Sequence, residues 1–259
     1  MAYALITRAT KGIGKAIAEE LAKRKINVLL IARSEGLLKE MAQHLSTTYG
    51  VQTNYFAVDL SETNAAKKIF EWGNANNYSI NILINNAGYG LSGEFENYSL
   101  QEHIDMMHVN MTVTIELIYL FLPKLKEQQK GYIMNIASSA SHQAVPGLNV
   151  YAASKAFILS FSRGLRYELK SMNVSITVVC PGATDTDFII RANINSAKAI
   201  KLAKMFNMQP QKVAVIAIKG MFANKPEVIP GFINKLSAFL VWLFPKSLSE
   251  KSAAVIYDI

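Results

Sequence analysis

Two short apolar runs, Ala2–Ile6 and Asn27–Ala32, lie about twenty residues apart with a glycine-bearing turn and a helical stretch between them. The first run leads into Thr7-Arg8-Ala9-Thr10-Lys11-Gly12-Ile13-Gly14. Lys15 to Lys25 follows, with Ile17, Ala18, Leu21 and Ala22 at helical spacing. The second run is apolar after its first residue, as strands of a parallel sheet are when both faces are covered. Strand, tight turn, helix and strand in this order confine the chain to a parallel crossover unit. They also leave the turn where a phosphate would meet a helix N-terminus. Gly12 and Gly14 let the backbone approach a pyrophosphate closely. The alternation continues. Helices are expected near 35–48, 62–76, 100–122 and 150–171, and strands near 52–58, 80–84, 131–137 and 174–179. The pattern predicts an α/β fold, a parallel sheet with helices on both faces.

Tyr151 and Lys155 are four residues apart, on one face of an expected helix, and Ser138 precedes the tyrosine by thirteen residues. Free tyrosine titrates near ~10. A neighbouring ammonium favours the phenolate, so Tyr151 could exchange a proton with a carbonyl oxygen near neutral pH. Ser138 could hydrogen-bond that same oxygen. Chance alone supplies roughly one Tyr-x-x-x-Lys in a chain of this composition. The pair gains meaning only from its company.

That company is TRATKGIG (7–14), NNAG (85–88), Asn110 in HVNMT, Ser138 in IASSAS, YAASK (151–155) and CPGATDT (180–186). In order and spacing these segments resemble the short-chain dehydrogenase/reductase family, over residues 2 to about 190. The resemblance implies a single-domain Rossmann-type doubly wound sheet over 1–259. It also implies hydride transfer between a nicotinamide and a carbonyl or carbinol carbon. Asn110, Ser138, Tyr151 and Lys155 would be catalytic, with Tyr151 exchanging the proton. Lys155 would also bind the nicotinamide ribose, and Asn110 would hold a water in a relay to Lys155; a buried Asn bonding backbone is the alternative. Ser139 competes for the serine role, and the family spacing selects Ser138. Asp59 would meet the adenine, with Leu60 beside it, and Asn86, Ala87 and Gly88 the adenosine ribose. Pro181, Gly182, Thr184 and Thr186 would line the nicotinamide end, and Thr7, Ile13 and Tyr151 complete the cofactor contacts. The family's helix around 104–122, here apolar nearly all round, and the helix bearing Tyr151 usually form the interface of a homodimer or homotetramer. Burial under the chain's own C-terminal part is the other reading.

Arg8 stands where the family has its first glycine. It could tolerate the turn and contact the cofactor phosphates, weaken binding, or mark a non-catalytic relative. Arg33 ends the second strand and Lys11 precedes Gly12. Both favour NADP(H) over NAD(H), because an arginine there suits a 2′-phosphate, although Glu35 lies close by.

The single Cys180 excludes an internal disulfide and fits a reducing, cytoplasmic setting. The first strand follows the initial methionine directly, which leaves no room for a signal peptide ahead of it. His44, His103, His108 and His142 form no metal-ligand spacing, so no metal is expected. The net charge of +8 is unevenly placed. Residues 188–259 have ten Lys or Arg against three Asp or Glu, and the preceding 187 have seventeen against sixteen. No nucleic-acid-binding pattern accompanies this charge. A short strand is expected at 227–229. The apolar stretch 231–244 is too short to span a bilayer. It could wall the substrate pocket as part of a lid over 188–259, lie on a membrane surface, or simply pack. A basic, apolar-walled entrance suits an apolar carbonyl or alcohol substrate, including an acyl thioester on coenzyme A or acyl carrier protein, or a steroid-like one.

Overall fold

The structure is a computed structural model that describes residues 2–259. β1 (Ala2–Thr7) and β2 (Asn27–Ala32) run parallel, from Tyr3 opposite Asn27 to Thr7 opposite Ile31, with α1 (Gly12–Lys23) as their crossover. β3 (Thr53–Ala57), β4 (Ser79–Asn85), β5 (Gly131–Ile136), β6 (Val174–Val179) and β7 (Glu227–Val228) complete a parallel sheet in the order β3-β2-β1-β4-β5-β6-β7. The order reverses at β1 and β4, and the crevice outside the strands' carboxyl ends at such a switch point is where α/β folds bind ligands.

Alternate strand residues face opposite layers. Ala4, Ile6, Val28 and Leu30 pack under α1, α2 (Glu35–Tyr49) and α9 (Pro210–Phe222). Tyr3, Leu5, Leu29 and Ile31 pack under α3 (Ala65–Ala75), α5 (Val113–Glu127) and α6 (Asn149–Glu168). Burial on both sides explains why these strands are almost wholly apolar.

Some expected bounds shift. α1 starts at Gly12, so the glycine turn runs straight into the helix, and the helix expected from 62 starts at Ala65. The long helix begins as α4 (Leu100–Met107), capped by Ser99 and Glu102. It widens into a π turn over His108–Thr112 and continues as α5. By length and composition alone, Leu100–Glu127 would be long and apolar enough to cross a bilayer. Here Leu117, Phe121 and Leu125 sit in the core, while Tyr119 and Ile115 are exposed. One face is therefore buried and the outer face is not.

Beyond β6 come α7 (Phe188–Arg191), α8 (Ala197–Phe206), α9, β7, α10 (Phe232–Leu243) and α11 (Lys246–Tyr257). α10 holds the apolar stretch that could have walled the pocket. None of its residues lines either of the two main cavities, and it stands on the surface. Ile190, Ile194, Ile200 and Tyr257 supply the apolar cover instead.

Candidate active site

The end of β1 is tied to the end of β4. Thr7 Oγ1 accepts hydrogen bonds from the Asn86 and Ala87 amides at 2.9 and 3.0 Å, and Asn86 Nδ2 donates to the Thr7 carbonyl at 3.0 Å. Gly14 is required by proximity: a Cβ there would lie 2.4 Å from both the Arg8 carbonyl oxygen and Asn86 Nδ2. Thr7 and Gly14 thus shape the turn from behind and line neither cavity. Arg8 adopts φ +52°, the left-handed conformation that favours glycine. Its Nη1 donates to the Gly88 carbonyl across the groove. Burial, followed by the repulsion of Arg191, holds the Arg8 pKa below its ordinary value.

α6 carries Tyr151 and Lys155, both buried. Lys155 Nζ donates to the Ile136 carbonyl at 3.0 Å and lies 6.0 Å from the Tyr151 ring centroid. Asn110 belongs to the π turn, a feature that often marks functional positions. Its Nδ2 donates to the Tyr89 carbonyl at 2.9 Å and to Ser154 Oγ at 3.0 Å, and its Oδ1 accepts from the Tyr89 amide at 3.0 Å. Gly88 passes so close that a Cβ would meet Lys155 Nζ at 2.9 Å and Asn110 Oδ1 at 3.0 Å. Asn110 therefore has the backbone bonds of the structural alternative and also stands beside Lys155.

The sequence suggested a phenol made acidic by the Lys155 ammonium, and the structure corrects this. Burial dominates and pushes the Tyr151 pKa up to about 12; the Ser138 hydroxyl, then Arg8, act the other way. Burial, then Arg8, lowers Lys155 to about 8. With its own charge disfavoured, the lysine is a weak source of field for the phenol. Below pH 8 Lys155 is charged in both the folded and unfolded chain, so its burial costs stability in full. That cost fades as pH rises from about 8 toward 10.5, where the unfolded chain also loses the proton. Lys155→Met removes the cost at every pH. Denaturant unfolding should show the wild type gaining on this variant over that window, by on the order of 3 kcal/mol. A pH-independent difference would mean that the ammonium is hydrated.

Two cavities, of about 570 and 730 Å³, share Arg8, Lys11 and Gly88. The first is lined by Gly12, Ile13, Asn86, Ser138, Tyr151, Lys155, Pro181, Gly182, Thr184 and Thr186. The second is lined by Arg33, Asp59, Leu60 and Ala87. Residues expected at the nicotinamide end line the first cavity, and Arg33, Asp59, Leu60 and Ala87, expected at the adenine end, line the second; Asn86, expected at the adenosine ribose, lines the first cavity instead. Arg33 is exposed and its Nη1 lies 3.6 Å from Asp59 Oδ2. Burial acts to raise the Asp59 pKa, but the Ser61 amide and hydroxyl, with Arg33, hold it below the usual value. Glu35 lines neither cavity.

Sequence reasoning missed several wall residues. Tyr89, Asp105, Val109 and Arg191 face the second cavity. Phe188 covers Tyr151 with ring centroids 5.2 Å apart, and Tyr257 returns from the C-terminal end to the first cavity. No spacing rule links positions so far apart. His142, Cys180 and Glu227 also converge, their ligand atoms within 4.8 Å of one another. Arg163 already pairs with Glu227 at 2.7 Å, and burial pushes the Cys180 thiol up to about 12.

The sequence model described as short chain dehydrogenase matches residues 2–198. A very-long-chain 3-oxoacyl-CoA reductase-A from Danio rerio is 39% identical over 187 residues, 69% of this chain and 57% of that protein. An inactive hydroxysteroid dehydrogenase-like protein 1 from Homo sapiens is 32% identical over 193 residues, 74% of this chain and 58% of that protein. The chain thus spans under two thirds of the length of these relatives. A solved short-chain dehydrogenase from Sphingobium yanoikuyae in complex with NADPH superposes with a TM-score of 0.82 at 28% identity, covering 94% of this chain and 95% of that one.

Proposed function

The chain belongs to the short-chain dehydrogenase family, and from that premise we propose an NADPH-dependent oxidoreductase that interconverts a carbonyl and an alcohol on an apolar substrate. The observation that carries this reading is the joint presence of Ser138, Tyr151 and Lys155 in one cavity roofed by Phe188, Ile194 and Ile200. The groove suits a dinucleotide: Gly12 at φ +56° and Gly88 both occupy places a Cβ would obstruct. Bound there, the nicotinamide would supply or accept the hydride. The chain's own residues hold and protonate. In the direction of reduction, Tyr151 is needed as a neutral donor, the form its burial favours. Ser138 positions the substrate oxygen, Lys155 binds the ribose side, and Asn110, which lines neither cavity, would act through a water relayed to Lys155. Arg33 and Lys11 offer charge to a 2′-phosphate once Arg33 leaves Asp59.

A long apolar acyl thioester or a steroid-like body fits the apolar roof, and Lys11, Arg191 and Lys204 near the groove suit an anionic carrier. The exposed Leu100, Ile104, Tyr119, Phe157 and Tyr167 on α4, α5 and α6 provide an apolar face for a homodimer or homotetramer. The buried, unpaired Cys180 suits a reducing compartment.

Titrating NADPH and NADH by fluorescence, then following absorbance with ketones of rising chain length, tests the reading. NADPH should bind tighter than NADH and rates should rise with chain length. Arg33→Ala should cost about tenfold in NADPH affinity, one charge-assisted contact, and little for NADH. NADPH binding without turnover on any ketone would favour a second reading, a non-catalytic NADP(H)-binding relative. Arg8 at the family's glycine position is the observation behind that alternative.

A further inference from the structure

α10 buries none of its twelve residues, although nine are apolar. Phe232 is 79% exposed and Trp242 77%. Phe244 and Leu248, which follow α10, and Met205 and Phe206 of α8 are exposed as well. The loop that leaves α8 reaches α10: Asn234 Nδ2 lies 3.9 Å from Sδ of Met208, two residues past the end of α8. Burying each large side chain of this kind stabilises by ~1.5–3 kcal/mol, so a patch of this size left in water points to a partner.

Charge identifies the partner. Lys235 lies within α10, Lys246 and Lys251 on α11, and Lys201 and Lys204 on α8. Of the three acidic residues from 188 onward, Glu227 pairs with Arg163 at 2.7 Å and Asp258 with Lys198 at 2.9 Å. Glu250 and, beside Met208, Asp185 remain against five lysines. A second copy docked on this face would bring like charges together. At 1.5 Å per residue the helix is ~18 Å long, too short for a hydrocarbon core of ~30 Å.

We propose that α10, with the outer residues of α8, docks flat on an anionic phospholipid bilayer, its apolar side chains below the headgroups and its lysines level with the phosphates. Ile190, 83% exposed, and Lys204 belong to the rim of the active-site cavity. α8 therefore connects the docked surface to the mouth through which an apolar substrate would enter. That route rests on the oxidoreductase reading; the docking does not.

The chain has two tryptophans, Trp72 and Trp242, so Trp72→Phe leaves one reporter on α10. With vesicles of phosphatidylcholine containing about 30 mol % phosphatidylglycerol, its emission should shift to the blue and the protein should float with the lipid. Affinity should fall at least about tenfold on pure phosphatidylcholine or in ~0.5 M salt. Flotation of the unsubstituted chain provides the same test without relying on the Trp72 variant. Phe239→Glu should abolish flotation yet leave NADPH affinity unchanged. Absence of flotation with the anionic vesicles overturns the proposal, and equal binding to neutral vesicles overturns its charge basis. Self-association that Phe239→Glu disperses, without vesicle binding, assigns the face to a second copy. A chain that floats but reduces no ketone defeats the activity reading and leaves the docking intact.

Discussion

Tyr151→Phe lowers turnover by about 10³-fold or more while NADPH binding stays within about twofold. Removal of a positioned general acid typically costs 10²–10⁴ in rate, and of the two phenols lining the cavity, Tyr151 and Tyr257, only Tyr151 stands beside both Ser138 and Lys155. Ser138 keeps its hydroxyl in the variant, and Lys155 keeps its bond to the Ile136 carbonyl at 3.0 Å. Tyr151 is buried under Phe188, so the ring alone preserves the packing and the melting temperature should scarcely move. Steady-state rates together with fluorescence titration of NADPH separate the two effects. A rate within tenfold of the wild type would remove Tyr151 from proton transfer.

Arg8→Gly has opposing effects. Glycine adopts φ +52° without the cost a side chain bears, so thermal stability should rise slightly, on the order of 0.5–1 kcal/mol. Binding should move the other way. Arg8 lies at the junction of the two cavities, where a pyrophosphate would pass, and its guanidinium is poised on the Gly88 carbonyl. Loss of a charge-assisted hydrogen bond there predicts NADPH affinity about tenfold to a hundredfold weaker. A fragment such as 2′,5′-ADP, which lacks the pyrophosphate, should be affected far less. Tighter NADPH binding in Arg8→Gly would show instead that the guanidinium obstructs the groove, and would lend weight to the non-catalytic reading.

Much of the fold was legible because its signals are local. β1 and β2 are apolar but for Thr7 and Asn27 at their ends, and the turn at Gly12 and Gly14 declares the crossover. The helix of Tyr151 and Lys155 is one regular stretch. Beyond β6 only the short strand at Glu227–Val228 was legible in this way. α7 is a single turn, α9 and α11 lack a strong local pattern, and Phe188 and Tyr257 meet Tyr151 only because the chain returns over the sheet's carboxyl edge. The apolar segment 231–244 was visible, but which of its three readings applied was not. A run of Phe, Leu and Trp reads the same whether it covers a pocket or faces solvent.

From sequence alone came the alternating parallel architecture, because period is a property of neighbouring residues, and the candidate groups Asn110, Ser138, Tyr151 and Lys155, because the segments that carry them resemble those of the family. Tertiary structure alone decided that burial outweighs charge at Tyr151, that Arg8 bridges to Gly88 across the groove, and that α10 remains uncovered. Solvation and Coulomb energies depend on which distant segments exclude water from a group, and no local pattern encodes that.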